Sequence, residues 1–404
     1  MADKLGASAA TAPSAARGSN RLRLQTSLGN ALMWAKGYQA LETSAAFARA
    51  RELASRLKDA SERFSAFYGL WAGHLTRGEP APAREMAELF LREATAQPNC
   101  PEALVAHRIS GTTCLYFGDF AGAHDHFQKT IELYDQARHG DFANRFGHDP
   151  RTAAEIQDAV ALWVLGRIDE ALPLADRALA DAESAAHAPT MAIALTWAAQ
   201  LGLWRCNPKA VATYSQALAD IVSRYGLPAR WAGMAVFFQG WANRSDAAEE
   251  SRVAEMRRGV AINREQGYLW FLLEEALAEA EAGAGETDAG LRRLGLALAE
   301  VERTEHHAPE AEIHRIRGEI LLKCDPADTA TAEQSLQAAI AIAQSQKARS
   351  YELRAALSLA KFYRSTSRDA DAHAVLAPAV EDFPPTQQFP ELTEAQTLLS
   401  ALSP

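Results

Sequence analysis

The feature that most constrains this chain is a short pattern of small and bulky residues that recurs along most of its length. The clearest copy has a small residue at Gly111, a turn glycine at Gly118, and then Ala123, Phe127 and Thr130. Small residues at two points allow paired helices to approach closely, and the bulky residue fills the space between them. Glycine ends the first helix well, because it adopts the left-handed conformation without strain. The pattern therefore predicts paired helices.

The small residue of each second helix shows how the copies are spaced. It stands at positions 83, 123, 171, 210, 290, 332 and 372, and Arg252 takes the equivalent place in one further copy. The pattern resembles the tetratricopeptide repeat, whose period is about 34 residues, so longer helices or turns must absorb the difference. The widest interval contains HGDFANRFGHDPR, which its glycines and proline mark as an insertion.

These repeats predict an all-α, right-handed solenoid of about eight to nine tetratricopeptide-like helix pairs with a C-terminal capping helix. We expect a flexible leader at 1–21, the solenoid at 22–390 and the capping helix at 391–404. The leader is rich in Ala and Ser and lacks the apolar core of a secretory signal.

Composition and charge narrow the class of protein and its partners. The formal net charge is −10, which disfavours non-specific binding to nucleic acid or to an anionic membrane. No apolar stretch approaches the roughly 20 residues of a membrane-spanning helix. The four cysteines are far apart and form no CxxC pair, which is typical of reduced thiols in a cytoplasmic protein.

Four stretches carry a more specific resemblance. They are FANRFGHDP at 142–150, GWANRSDAAEE at 240–250, EAEIHRIRGEILL at 310–322 and KARSYELRAALSLAKFYRSTSRDADAHAVLAP at 347–378. With them the chain resembles the C-terminal tetratricopeptide-like region of bacterial adenylate/guanylate cyclase or AAA-type ATPase signalling proteins. The resemblance implies a regulatory or partner-binding module, and a cyclase or ATPase module as one partner. The tail after LAP keeps only the general shape of the family's tail.

The sequence contains no motif that indicates catalysis, a cofactor or a metal site. A GxxxxGK[ST] phosphate loop and a Gly-x-Ser-x-Gly elbow are both absent. Adjacent histidines on a helix point about 100° apart, so we interpret His306 and His307 as surface turn residues rather than metal ligands. A cluster of glutamates has the spacing of a solvated helix face: Glu274, Glu275, Glu279 and Glu281. We therefore expect no enzyme activity.

Binding residues are expected on the inner face, which the first helix of each pair lines in this repeat type. Candidate groove residues are Arg108, Gln157, Trp163, Trp241, Arg315, Arg354, Lys361 and Arg364. Aromatic residues are dense in the middle of the chain, and we expect most of them to pack between helices. They are Trp163, Trp197, Trp204, Trp231, Phe237, Phe238, Trp241, Trp270 and Phe271.

The last part of the groove has a basic character in this frame. Arg354, Lys361 and Arg364 are spaced by 7 and 3 residues, so they share one helix face. They would either bind an acidic peptide or a carboxylate, or form salt bridges with neighbouring glutamates, and the second interpretation is favoured.

Three functional hypotheses follow. The first is a non-catalytic protein-binding scaffold that resembles the sensor arm of a cyclase/ATPase signalling protein. The second is a stand-alone adaptor that binds a peptide or protein in the concave groove. The third, an enzyme with an unrecognised helical active site, is much less favoured, and it would need convergent ionisable groups with strongly shifted pKa values in a concave pocket.

Overall fold

A computed structural model describes residues 3–37, 40–55, 60–243, 249–266, 272–324, 329–381, 383 and 389–402. Within these ranges the chain forms twenty-one helices and no strand. The predicted all-α solenoid is confirmed. Trp270 and Phe271 lie outside the described residues.

The helices follow one another in nine antiparallel pairs and one single C-terminal helix, with two short helices inserted after the third pair. They are α1 (Asp3–Lys36), α2 (Leu41–Ser55), α3 (Ala60–Thr76), α4 (Pro80–Thr95), α5 (Ala103–Tyr116), α6 (Phe120–Leu133), α7 (Gln136–His139), α8 (Phe142–Phe146), α9 (Pro150–Val164), α10 (Ile168–Ala185), α11 (Ala188–Trp204), α12 (Pro208–Tyr225), α13 (Ala229–Ala242), α14 (Glu249–Glu265), α15 (Leu272–Gly283), α16 (Thr287–Thr304), α17 (Glu310–Cys324), α18 (Thr329–Ser345), α19 (Arg349–Ser365), α20 (Asp369–Glu381) and α21 (Pro390–Leu402).

Small residues allow the paired helices to touch, as the repeat pattern predicts. A Cβ added at Gly111 of α5 would lie 2.7 Å from the ring of Phe127 on α6. The turn glycine Gly118 has a φ of +79°, and Gly166 has a φ of +82° in the equivalent turn. Longer side chains at the contact would separate the helices, and a side chain at the turns would strain the backbone.

The insertion and the N-terminal segment adopt more helix than the sequence indicates. The predicted insertion carries α7 and α8, and Gly147 ends α8 in the left-handed conformation at φ +85°. Asp149 then caps α9 by accepting a hydrogen bond from the backbone N–H of Thr152. The segment expected to be a flexible leader is helical from Asp3, because α1 runs without a break to Lys36. No helix boundary separates the expected leader (1–21) from the solenoid, and this domain boundary stays a prediction.

The solenoid coils far enough for its last helix pairs to touch its middle. Ser350 on α19 donates a hydrogen bond of 2.5 Å to the carbonyl of Trp163 on α9, across 187 residues of sequence. The Tyr351 ring packs edge-on against Phe120 at 6.2 Å between centroids. Such long-range contacts fix the curvature of the concave face.

His306 takes part in this closure and corrects an expectation. It was expected to lie at the surface, but only 4% of it is exposed, and its ring stacks on Tyr116 of α5 at 4.6 Å. The physical reason is the coiling, which brings the α16–α17 connection against the third helix pair. Burial lowers the pKa of His306 to about 3, with a smaller contribution from His307, so the ring is neutral.

Among the described residues, no helix combines the length and the apolar character needed to cross a membrane.

Candidate functional site

A cavity of about 470 Å³ opens on the concave face of the second half of the solenoid. Five successive inner helices (α11, α13, α15, α17 and α19) line it, together with the C-terminal helix α21 and Arg252 of α14. Its walls are aromatic and charged rather than purely apolar. Its lining includes Trp204, Trp241, Glu275, Glu279, Arg315 and Arg354.

Arg354 is buried at the base of this cavity and is fully committed to partners. Its Nε and Nη2 donate to Glu391 Oε1 at 2.8 and 2.6 Å, and its Nη1 donates to Glu312 Oε2 at 3.0 Å. It also donates to the carbonyl of Trp204, and its guanidinium lies 5.0 Å from the centroid of the Trp163 ring. Burial alone would lower the pKa of Arg354, but the two glutamates outweigh it and raise the pKa. The residue therefore ties four helices together.

Arg315 is committed in the same way. It donates to both oxygens of Glu312 at 2.9 and 3.1 Å and to Glu319 Oε1 at 2.9 Å. Ser358 donates a further hydrogen bond to that oxygen of Glu319. Burial works to raise the pKa of Glu312, but Arg315 and Arg354 hold it below the usual range. In this half of the cavity wall, each of the two arginines binds two carboxylates.

Glu275 is the buried carboxylate that this network leaves out. Only 3% of it is exposed, Oε1 accepts one long hydrogen bond of 3.4 Å from Trp204 Nε1, and Oε2 has no hydrogen-bond partner. Among the described residues, no cation lies within ion-pairing distance of it. Burial raises the pKa of Glu275 well above its usual value, Glu312 raises it further, and the Trp204 bond and the more distant arginines oppose this only in part.

The glutamate cluster of α15 corrects a second expectation. Its four members were interpreted as a solvated face, but Glu274, Glu275 and Glu281 are 8%, 3% and 1% exposed. Because α15 is packed between α14, α16 and α17, only one narrow strip of it faces solvent. Glu281 and Glu274 both bind Arg293 of α16, at 2.7 Å. Glu279 alone remains exposed, and it lines the cavity.

Four of the candidate groove residues line this cavity: Trp241, Arg315, Arg354 and Lys361. The predicted basic end is wrong in character, since Glu394 of α21 pairs with Lys361 at 2.6 Å, while Arg354 is neutralised as described above. The favoured interpretation, salt bridges to neighbouring glutamates, is confirmed for both residues. Arg364 is exposed on the same helix outside the cavity. Sequence reasoning missed Glu391 and Glu394, because it treated α21 only as a cap.

The remaining candidates lie in the first half of the solenoid or in its core. Arg108 is 2% exposed and lies 5.2 Å from the ring centroids of both Tyr68 and Trp71. Gln157 accepts a hydrogen bond of 2.9 Å from Thr112. Trp163 is 1% exposed and stacks on Trp204 at 5.3 Å, beneath the cavity rather than in it. Whether any candidate binds a ligand stays a prediction.

A second cavity of about 730 Å³ lies between α14, α15 and α16. Its glutamates and arginines neutralise one another: Arg257 binds Glu281 and Glu286, and Arg293 binds Glu274 and Glu281. It lies off the concave inner face that the other cavity occupies. In the described part of the chain, no group of three or more His, Cys, Asp or Glu side chains is placed to hold a metal ion.

Comparisons with known proteins place the fold but not a family. No family model matches the chain. It is 26% identical over 348 residues to the uncharacterized protein R02095 of Rhizobium meliloti (strain 1021), a match that covers 83% of this chain and 33% of that protein. The chain thus spans about a third of the length of this relative.

Among solved structures, a Rap protein complexed with competence and sporulation factor covers 95% of this chain and all of its own, with a TM-score of 0.59 and 9% identity. Yeast Tom70 gives a TM-score of 0.31 at 12% identity. The Rap likeness supports the helical solenoid, and the Tom70 score is too low to add to it. On this evidence the chain is an all-α solenoid of tetratricopeptide-like helix pairs.

Proposed function

We propose that this chain is a non-catalytic, protein-binding scaffold that holds a peptide, or an extended segment of a partner protein, in the concave cavity. The observation that carries the proposal is that cavity, to which five successive inner helices and the C-terminal helix contribute side chains. Its volume lies within the range of about 300–1,000 Å³ that is typical of ligand sites. The walls combine aromatic surface with charged groups, which is how solenoid grooves obtain both affinity and specificity.

The rigidity of the walls supports binding rather than catalysis. Arg315, Arg354, Glu312 and Glu319 satisfy one another, so they form a preorganised frame. A preorganised frame lowers the entropy lost when a flexible segment binds. The Rap protein that shares this architecture was crystallised with a bound factor, and we extend that type of activity, binding, to this chain as part of the proposal.

The chain would act as the sensor arm of a larger signalling protein of the cyclase/ATPase kind. Two observations support this: the four stretches quoted above, and a relative that is about three times as long as the segment it shares with this chain. A ligand that prefers one curvature of the solenoid would shift the packing of the last helix pairs against α9, and so bias an attached module. The alternative is a stand-alone adaptor. The mass of the native protein in its own cells distinguishes the two.

A cavity-blocking variant provides the test. Gly283, at the end of α15, lines the cavity, and a Cβ added there meets no atom within 4 Å, so Gly283→Trp fills the opening without disturbing the helix pairs. Gly295→Trp is the matched control, because Gly295 of α16 has equally free space and does not line the cavity. Peptides selected from a random library on the immobilised chain should lose binding to Gly283→Trp and keep it with Gly295→Trp.

Two results would overturn the proposal. One is a library that yields no specific binder, or binders that Gly283→Trp retains. The other is ATP hydrolysis or nucleotide cyclisation by the purified chain.

A further inference from the structure

Among the described residues that line the concave cavity, Glu275 is a buried acid without an ion-pair partner. We infer that the cavity selects a ligand with a positively charged nitrogen group, an ammonium or a guanidinium, which binds at Glu275. The inference rests on the proposed function, because it specifies the chemistry of the peptide that the cavity takes.

Glu275 has the geometry of an incomplete ion pair. It lies on α15 in the cavity wall, it is 3% exposed, and its Oε2 accepts no hydrogen bond. A buried carboxylate oxygen without a donor is costly, so a ligand donor that reaches it would gain free energy of binding. Glu275 is one of the residues that line the cavity, so a donor on a ligand in the cavity would lie beside its side chain.

The cations of the cavity do not complete this pair. Arg315 divides its donors between Glu312 and Glu319, and Arg354 divides its donors between Glu312 and Glu391. Moving either arginine toward Glu275 would strand a carboxylate that is now paired. Neither arginine is therefore available to Glu275, and a cationic ligand in the cavity would supply the donor that this carboxyl lacks.

The charges around the cavity point in the same direction. Its lining includes six carboxylates and five basic side chains. The carboxylates are Glu275, Glu279, Glu312, Glu319, Glu391 and Glu394, and the bases are Arg252, Arg315, Lys323, Arg354 and Lys361. When Glu275 is ionised, the carboxylates exceed the basic groups by one, which favours a cation over an anion.

Aromatic groups beside Glu275 suit the same ligand. The ring of Trp204, whose Nε1 donates to Glu275, and that of Trp241 both line the cavity. Aromatic faces attract ammonium and guanidinium groups.

The charge of this ligand is opposite to that of the acidic peptide that the sequence allowed at the basic end of the groove. The arginine and lysine of α19 are neutralised inside the protein, so the groove offers negative rather than positive recognition at its centre. The cation has two possible sources in a peptide: a Lys or Arg side chain, or the α-amino group.

The inference is tested by selecting binders from a random hexapeptide library on the purified, immobilised chain. The best binders are then synthesised in matched forms. One form replaces each Lys or Arg by norleucine, and another has an acetylated N-terminus. Each is titrated against the original chain and against the variants Glu275→Gln and Glu132→Gln. Glu132 is the control, because it is an exposed glutamate of α6 that pairs with Lys129 far from the cavity.

We expect the selected binders to lose affinity by about ten-fold or more when the cation is removed from them, and by a similar factor with Glu275→Gln. Glu132→Gln should bind as the original chain does. Loss with norleucine assigns the cation to a side chain, and loss on acetylation assigns it to the α-amino group. Glu275→Gln removes the acid and keeps the side-chain shape, so it should fold, which circular dichroism checks.

Failure of the inference is distinguishable from failure of the proposed function. Binders that lose affinity with Gly283→Trp but keep it with Glu275→Gln, or that need no cation, would leave the cavity as the binding site and overturn the inference. A library that yields no binder would overturn both.

Discussion

The replacement Arg354→Met tests whether the buried charges of the concave face hold the last helices in place. The change keeps most of the side-chain volume and the helix propensity of the site, while it removes four hydrogen bonds and a cation. Glu391 then loses its ionic partner, because both of its bonds from a cation come from Arg354. Glu312 keeps the bidentate contact with Arg315.

The magnitude follows from this difference between the two glutamates. Removing one member of a buried ion pair costs about 3–5 kcal/mol, mostly because the other charge stays buried alone. Here one carboxylate is stranded and the other is not, so we expect the lower end, a loss of about 3 kcal/mol in the free energy of unfolding.

Lys361→Met is the matched control on the same helix. Its ion pair with Glu394 joins side chains that are 49% and 52% exposed. Exposed pairs contribute less than about 1 kcal/mol, so this variant should remain close to the original chain. Urea titrations followed by circular dichroism at 222 nm measure both. Equal losses for the two variants would show that the network around Arg354 contributes little to stability, and the reasoning would be refuted.

Three further predictions address packing and protonation. Gly259→Ala should lower the free energy of unfolding by about 1–3 kcal/mol in urea titrations, because its Cβ would lie 2.6 Å from a backbone nitrogen of α13. The control Gly295→Ala should be neutral or stabilising by up to about 1 kcal/mol, and equal effects of the two variants would contradict this explanation. His306 takes up a proton near pH 6.5 in the unfolded state and only near pH 3 in the folded state, so the free energy of unfolding falls as the pH drops below 6.5. Between pH 7 and 5 the original chain should lose about 2 kcal/mol more of this free energy than His306→Phe does. Parallel stability profiles of the two proteins against pH would contradict the assignment of a lowered pKa to His306. Because the pKa of Glu275 is raised, a cationic peptide should bind more tightly as the pH rises through that pKa, and its binding should release protons. Calorimetry in buffers of different ionisation enthalpy measures this release, and equal heats of binding in these buffers would contradict the prediction.

The helix pairs could be predicted from the sequence because their signal is local. A turn glycine such as Gly118, followed at fixed distances by Ala123 and Phe127, specifies where two helices meet, and the structure places these residues as the pattern requires. The period and the insertion before α9 were visible for the same reason. Each copy repeats the same contact, so the sequence signal is repeated along the chain.

The chemistry of the cavity could not be predicted in this way, since it depends on contacts between distant repeats. Glu275 has the helical spacing of a surface residue, and its burial follows from the coiling that brings α11 and α17 beside α15. Arg354 has the spacing of a groove cation, and it is neutralised by Glu391, 37 residues later in a helix beyond the repeats. His306 is buried for a similar reason, against a helix pair in the first half of the chain. The curvature of the solenoid decides all three, and no single repeat encodes it.

Amide hydrogen exchange measured with and without a selected peptide tests the central claim most directly, because it shows which helices the ligand covers. The account predicts that protection increases on the inner helices α15, α17 and α19, and that Gly283→Trp abolishes the increase. Protection confined to the outer helices α14, α16, α18 and α20, or unchanged by Gly283→Trp, would place the ligand outside the concave cavity and contradict the account.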